Sequence, residues 1–196
     1  DLEFTQNLSD FFSFTGINSG VYDPRILFDV EHRRFIVISL HGTTPSTTKI
    51  LVAFSKYEDP SAGWYYYSFD GNPLGDDHWF DYPNVGLTDN NLFFTGLMRD
   101  DNLLWQYSVI YQVDKRLCFE GKQTNWSYYS DVNNADGEKA FNLVPTHTAW
   151  NNYPDSKMYF ISNVANGGDQ YHLHSIDGNV GSELPIIAYQ ITGPQT

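Results

Sequence analysis

Beyond its first twenty residues, the chain alternates between short runs rich in β-branched and aromatic residues and clusters of Gly, Pro, Asn, Asp and Ser. Such runs are typical of β-strands, and such clusters are typical of tight turns. The pattern predicts three consecutive groups of four strands. The first group comprises residues 25–29, 34–40, 50–56 and 64–69, the second 85–88, 91–97, 104–113 and 116–119, and the third 141–144, 157–163, 171–176 and 184–191.

Only the start of the chain has a helical pattern. Phe4, Leu8, Phe11 and Phe12 recur at the spacing of one helix face, which predicts a short helix before the first strand.

Four-stranded antiparallel units that repeat about every fifty residues are typical of the blades of a β-propeller, which bury their faces on their neighbours. We therefore predict an all-β fold in which residues 1–196 form a single propeller segment of three to four blades. Because closed propellers typically have four to eight blades, we expect a partial propeller that is part of a longer chain or is completed by oligomerisation. A β-sandwich fits the same number of strands and is the alternative.

Composition narrows the class of protein. The 196 residues include 17% aromatic side chains, which excludes a disordered chain, and no apolar run is long enough to insert into a membrane. Eleven Lys and Arg against 24 Asp and Glu give a net charge of −13, which disfavours nucleic acid as a partner. The acidity, the abundance of Tyr, Trp and Asn, and the scarcity of Lys favour a secreted or cell-surface bacterial protein.

Two further features bear on the location and redox state of the protein. The chain starts at Asp1 without a Met or a leader sequence, which favours a processed protein or an excised fragment. The single cysteine, Cys118, excludes an internal disulfide, and we expect it to be a buried thiol on a strand.

Several sequence segments resemble those of secreted bacterial β-propeller proteins of the sialidase-like, or exo-alpha-sialidase-like, family. They are YDPRILFD at 22–29, RRF at 33–35, ILVAFS at 50–55, DPSAGWY at 59–65, FDYPNVG at 80–86 and VDK at 113–115, with looser similarity at LVP 143–145 and MYFIS 158–162. The resemblance covers roughly residues 20–120, and it implies a propeller that acts either as a non-enzymatic module or as a sialidase-like glycoside hydrolase.

The segment from Ser55 to Trp64 is similar to the Asp-box hairpin of sialidase propellers, although it is longer and lacks the Thr. The similarity implies that Asp59 caps backbone N–H groups of the turn, that Gly63 adopts a φ angle unfavourable for other residues, and that Trp64 packs between blades. We expect Asp81 to stabilise a turn in the same way.

Sialidase catalysis would require three arginines that clamp a carboxylate, a Tyr nucleophile and an acidic partner. Five arginines occur, and the adjacent Arg33 and Arg34 would point to opposite faces of a strand. The alternative carboxylate pairs of glycosidases have candidates at 76–77, 100–101 and 131–136, but all lie in polar turns. We therefore expect a protein without catalytic activity, with hydrolysis as the alternative.

Two segments could bind a metal ion. Asp131, Asn133 and Asp136 offer alternating oxygen ligands before a Gly, which suggests a Ca²⁺ loop, although the spacing departs from an EF-hand. His172 and His174 would share one face of a strand, and Asp169 or His147 could complete a zinc site. For the histidines we favour an ordinary surface strand.

Aromatic residues are more numerous than the packing of inward faces requires. Exposed Trp and Tyr beside Asn and Asp offer flat platforms with neighbouring hydrogen-bonding groups, which suit sugars or protein partners. The candidate ligand-binding residues are Trp126, Tyr128, Trp150 and Tyr153. The sequence thus favours a non-enzymatic recognition or assembly module that binds a glycan or a protein at the cell surface. A structural subunit of a larger ring or filament is a further alternative.

Overall fold

A computed structural model describes residues 5–130, 132–146, 156–163, 170–182 and 186–192 of the chain. The fold is all-β, as predicted, and consists of three four-stranded antiparallel sheets in which strands adjacent in sequence are neighbours. The chain divides into two compact units, Asp1–Phe80 and Asp81–Thr196. Within the described residues, no helix is both long and apolar enough to cross a membrane.

The first sheet consists of strands β1 (Val21–Asp29), β2 (Arg34–His41), β3 (Lys49–Ser55) and β4 (Trp64–Asp70), in that order. On one face, side chains of β2 and β3 are fully buried, among them Ile36, Ile38, Ile50, Val52 and Phe54. The order of the four strands agrees with the prediction for this unit.

On the opposite face of the first sheet, the N-terminal segment of the chain covers residues of β2, β3 and β4, whereas Ile26 and Phe28 of β1 are exposed. Helix α1 (Leu8–Phe11) and the 3₁₀ helix Ser13–Thr15 place the fully buried Phe12 on Leu51 and Ala53. Asn7 caps α1 by accepting a hydrogen bond of 2.8 Å from the backbone N–H of Asp10. The predicted short helix is present, and Phe4 lies outside the described residues.

The second sheet consists of β5 (Trp79–Leu87), β6 (Asn91–Arg99), β7 (Trp105–Asp114) and β8 (Trp126–Tyr129). The predicted fourth strand at 116–119 is wrong, because these residues belong to helix α2 (Lys115–Phe119). Asp114 starts this helix by accepting a hydrogen bond of 3.1 Å from the backbone N–H of Arg116. Cys118 is buried as expected, but on a helix rather than a strand.

The third sheet consists of β9 (Phe141–Pro145), β10 (Met158–Asn163), β11 (Gln170–Ile176) and β12 (Ile187–Thr192). It packs against the second sheet through a common core that joins Phe93 and Ile110 to Leu143, Met158 and Phe160. Gly86 permits this approach, because a Cβ atom at this position would lie 2.6 Å from Cβ of Pro145. Such packing is compatible with neighbouring propeller blades and with a sandwich.

The first strand of each sheet contains one non-glycine residue with a positive φ angle. These residues are Asp23 (φ 49°), Tyr82 (φ 58°) and Asn142 (φ 51°). The strand register shifts beside Asp23, and it also shifts in the pairing of β9 with β10, which is the signature of β-bulges. The recurrence of this backbone feature supports a fold built from repeats of one four-stranded unit.

Candidate functional site

Three aromatic side chains form a row across the second sheet. Phe94 on β6, Tyr111 on β7 and Tyr128 on β8 are register partners, so their side chains lie on one face. The rings of Phe94 and Tyr111 stack with centroids 4.7 Å apart, and those of Tyr111 and Tyr128 meet edge to face at 4.9 Å. Because Phe94 and Tyr111 are fully buried, this aromatic row provides a rigid base at the β8 edge of the sheet.

Trp126 extends the aromatic row to the surface. It lies two residues before Tyr128 on the edge strand, and its ring stacks on Tyr111 with centroids 5.7 Å apart and planes inclined by 26°. Its side chain is 39% exposed. The structure therefore brings together two predicted ligand-binding residues, Trp126 and Tyr128, whereas Trp150 and Tyr153 lie outside the described residues.

Charged groups lie at the start of the strand that carries Trp126. The backbone N–H of Asp114 donates to the carbonyl of Asn125 at 3.1 Å. The Asp114 carboxylate accepts two hydrogen bonds from the half-exposed Arg116, of 3.0 Å from Nε and 2.8 Å from Nη2. This bonding raises the pKa of Arg116 above its usual value. The pair therefore places a permanent cation and hydrogen-bond acceptors at this end of β8.

A second group of polar side chains, all buried except that of Asp136, lies in the third sheet and the loop before it. Ser162 Oγ donates to Asn134 Oδ1 at 2.8 Å and lies 2.9 Å from Nε2 of His174. Nε2 of His172 lies 3.5 Å from Oδ2 of Asp136. We call these five residues the buried histidine cluster. The expectation that the two histidines lie on a surface strand is wrong, because both are fully buried on the face that packs against the second sheet.

The buried histidine cluster has the residue types of a catalytic triad but a different arrangement. Asp136 contacts His172, whereas Ser162 contacts His174, so the three groups do not form a Ser–His–Asp relay. Burial, and to a smaller extent the neighbouring His172, lowers the pKa of His174 to about 4, so this imidazole is neutral at pH 7. Because Ser162 and both histidines are inaccessible, the cluster serves packing rather than reaction with a substrate.

The predicted Ca²⁺ loop is ordered by its own hydrogen bonds. Asp136 Oδ1 accepts from the backbone N–H of Glu138 at 3.0 Å, and Asn133 forms an isolated β-bridge with Lys139. No three His, Cys, Asp or Glu side chains converge on one point in the part of the chain that the structure describes. Asp131, His147 and Asp169 lie outside the described residues, so Ca²⁺ binding stays a prediction.

The Asp-box-like segment forms the connection between β3 and β4. Asp59 accepts hydrogen bonds from the backbone N–H and the hydroxyl of Ser61, at 2.9 and 2.7 Å, and these lower the pKa of Asp59. Gly63 has a φ of 114°. Ser55 pairs with Trp64 across the strands, and the ring of Trp64 packs against Phe11 of α1, with centroids 5.1 Å apart, rather than between two sheets.

Asp81 lies within strand β5 rather than in a turn. Its carboxylate accepts from the backbone N–H of Tyr82 at 2.8 Å and pairs with Nε of Arg99 at 2.5 Å. Asp81 thus binds the backbone of Tyr82, which has a positive φ angle, instead of the preceding turn.

Three arginines pair with carboxylates that lie apart in the sequence. Arg33 pairs with Glu58, Arg99 with Asp81 and Arg116 with Asp114. The paired acids of the polar turns also bind backbone groups: Asp76 accepts from His78 N–H, and Asp100 accepts from the N–H groups of Asn102 and Leu104. These contacts are those of turn-forming residues.

Comparison with models of protein families, with curated proteins and with solved structures finds no match. The resemblance to sialidase-like propellers therefore stays a prediction. Sequence reasoning did not identify Tyr111, Asn134 or Ser162, because nothing in the local pattern indicates which residues of distant strands face them. The side chains that surround Trp126 and His174 become apparent only from the pairing of the strands.

Proposed function

We propose that this chain is a non-enzymatic, extracellular recognition module that binds neutral glycans at the β8 edge of the second sheet. The observation that carries the proposal is the ring of Trp126, which is partly exposed and stacked on the buried Tyr111. An exposed Trp ring fixed from behind offers a flat apolar surface on which a sugar ring can stack at little cost in conformational entropy.

Polar groups lie at the same end of β8 as Trp126. Arg116 is half exposed and offers donors, and Asp114 offers acceptors. Sugar hydroxyls need both, since each hydroxyl donates and accepts. The net charge of −13 favours neutral over anionic glycans, because the field of the whole protein repels negative ligands.

Two observations support binding over hydrolysis. Asp76, Asp100 and Asp136, one carboxylate of each predicted acid pair, accept hydrogen bonds from backbone N–H groups of their own turns. The Ser–His contact of the buried histidine cluster is inaccessible. The proposal of an extracellular location rests on the amino-acid composition, which is acidic, rich in Tyr, Trp and Asn, and poor in Lys.

The test is calorimetric titration with a panel of neutral oligosaccharides, comparing the unaltered protein with Trp126→Ala. We expect binding that weakens at least tenfold in Trp126→Ala and less in Trp126→Phe, because Phe retains an aromatic face. Tyr57→Ala, which removes a well-exposed aromatic side chain from the first unit, is the matched control and should bind normally.

Three outcomes would overturn the proposal: no binding of any glycan in the panel, equal binding by Trp126→Ala, or turnover of fluorogenic glycosides by the unaltered protein. The last outcome would favour the alternative of a sialidase-like hydrolase.

A further inference from the structure

The outer face of the third sheet carries a row of apolar side chains that crosses all four strands. Val144, Ile161, Leu173 and Tyr189 are successive register partners on β9, β10, β11 and β12. Val144, Ile161 and Tyr189 are 39%, 43% and 47% exposed. We call this set the outer row. Tyr171 and Ile187 lie on the same face and are also exposed.

The outer row lies on the face of the third sheet that is turned away from the second sheet. Met158, Phe160 and Ile176 point to the opposite face and are fully buried in the common core. Contiguous apolar surface on one sheet face is unusual in the absence of a partner, whereas single exposed apolar residues are common.

The first sheet carries a similar row, which this chain covers at its last three positions while the first position, Ile26, is 64% exposed. Ile26, Val37, Ala53 and Tyr66 are register partners across β1 to β4. The helical N-terminal segment lies on this face, and the rings of Phe11, Phe12 and Phe14 surround Tyr66 at centroid distances of 5.4, 6.2 and 5.1 Å. Both rows begin with two β-branched residues and end with a Tyr on the fourth strand.

We infer that the outer row binds a short amphipathic helix of a partner protein, with a stripe of Phe and Leu like that of Leu8, Phe11 and Phe12. Val37, Ala53 and Tyr66, the covered part of the first-sheet row, pack against a helix of this chemistry. Helix recognition by an apolar surface depends on a few anchor residues at helical spacing.

The distribution of charged residues in this chain indicates which residues should flank the partner helix. Lys157 and Asp177 are the only Lys, Arg, Asp or Glu side chains among the described residues of the third sheet and its connections, so the contact itself is apolar. The whole chain has a net charge of −13, which attracts a helix with basic flanking residues. The same charge on two copies opposes self-association through this face.

The probe is a synthetic peptide with the sequence of residues 6–17 of this chain and two Lys residues added at each end. We would titrate it into isotopically labelled protein and follow backbone amide shifts by NMR. The expected result is shifts at Ile161, Leu173 and Tyr189, with none at Leu51 or Ala53. A control peptide with both Phe11→Asp and Phe12→Asp should cause no shifts.

Variants locate the binding surface. Ile161→Glu and Tyr189→Glu should each weaken peptide binding at least tenfold, and Leu74→Glu, a substitution at an exposed apolar position of the first unit, should have no effect. Ile187→Ser, a milder change on the same face, provides a further test if a Glu variant fails to fold.

Three results would overturn the inference. Shifts at Leu51 and Ala53 would mean that the peptide only displaces the chain's own helix, and unchanged binding by the variants would exclude the outer row. A concentration-dependent dimer in sedimentation experiments that Ile161→Glu abolishes would assign the face to a second copy. None of these depends on glycan binding at Trp126, so each proposal can fail without the other.

Discussion

The hydroxyl of Ser162 lies 2.9 Å from Nε2 of His174, and both side chains are fully buried in the third sheet. His172 lies on the same face of β11 as His174, and its Nε2 is next to the carboxylate of Asp136. Two imidazoles thus lie next to a core of apolar side chains that includes Met158, Phe160 and Ile176. A buried polar cluster of this kind makes the stability of its sheet sensitive to protonation.

His174 should make the protein less stable in acid. Its pKa is lowered from 6.5 to about 4 in the folded protein, so the unfolded chain binds a proton between these pH values and the folded chain does not. The free energy of unfolding is therefore highest above pH 6.5 and falls as the pH falls towards 4. We expect a loss of about 2 kcal/mol between pH 7 and pH 5 from this residue alone, measured by urea denaturation.

The variant His174→Leu is the control for this pH dependence. Because Leu does not titrate, the loss between pH 7 and pH 5 should shrink by about the same 2 kcal/mol. An unchanged loss in the variant would assign the acid sensitivity to other groups.

Ser55 should stabilise the start of β2 from the neighbouring strand. Its buried hydroxyl accepts from the backbone N–H of Phe35 at 2.9 Å and donates to the carbonyl of Tyr57 at 2.8 Å. Ser55→Ala should lower the free energy of unfolding by about 1–3 kcal/mol, because it leaves these groups without their partner. The matched control Ser61→Ala, which removes an exposed hydroxyl, should cost less than about 0.5 kcal/mol. Equal effects in denaturant titrations would contradict the assignment.

Gly86 should be required for the packing of the second sheet on the third. In Gly86→Ala, the new methyl group would lie 2.6 Å from Cβ of Pro145 and 3.1 Å from Cε of Met158. Overpacking of this kind costs about 1–3 kcal/mol, which a thermal or chemical unfolding curve would detect. Gly75→Ala places its methyl group in open space at a φ of 65°, so it reports the cost of backbone strain alone. A Gly86→Ala protein as stable as the unaltered one would show that the sheets can shift apart.

Asp81 and Arg99 should be energetically coupled. Both side chains are mostly buried, and Arg99 also donates to the carbonyl of Leu103 at 2.6 Å. A double-mutant cycle with Asp81→Asn and Arg99→Gln should give a coupling free energy of about 1 kcal/mol. The coupling should weaken little at high salt, because partly buried pairs are poorly screened. Additive effects of the two changes would mean that the pair does not contribute to stability.

The strands of the first sheet could be predicted closely from local pattern. The predicted 34–40 and 64–69 correspond to β2 (Arg34–His41) and β4 (Trp64–Asp70). The reason is that β-branched and aromatic runs form strands wherever Gly, Pro, Asn or Asp interrupts them, and these signals lie close together in sequence.

The fourth strand of the second sheet could not be predicted in this way. Leu117, Cys118 and Phe119 suit a buried strand and a buried helix equally, and the Asp114 cap decides for the helix. The edge strand of the sheet is instead Trp126–Tyr129, which pairs with residues of β7 that lie 13 to 19 positions earlier in the sequence.

Local sequence determined that this chain folds into repeated four-stranded meanders, since strand formation and turn formation depend on near neighbours. It also singled out Trp126, which is partly exposed, and Tyr128, which is half-buried. Only the tertiary structure decided that Tyr111 supports Trp126, that Asp136 meets His172, and that one face of the third sheet stays exposed. Those relationships depend on strand register and on which sheet faces pack, and the energies that select them act between residues far apart in the chain.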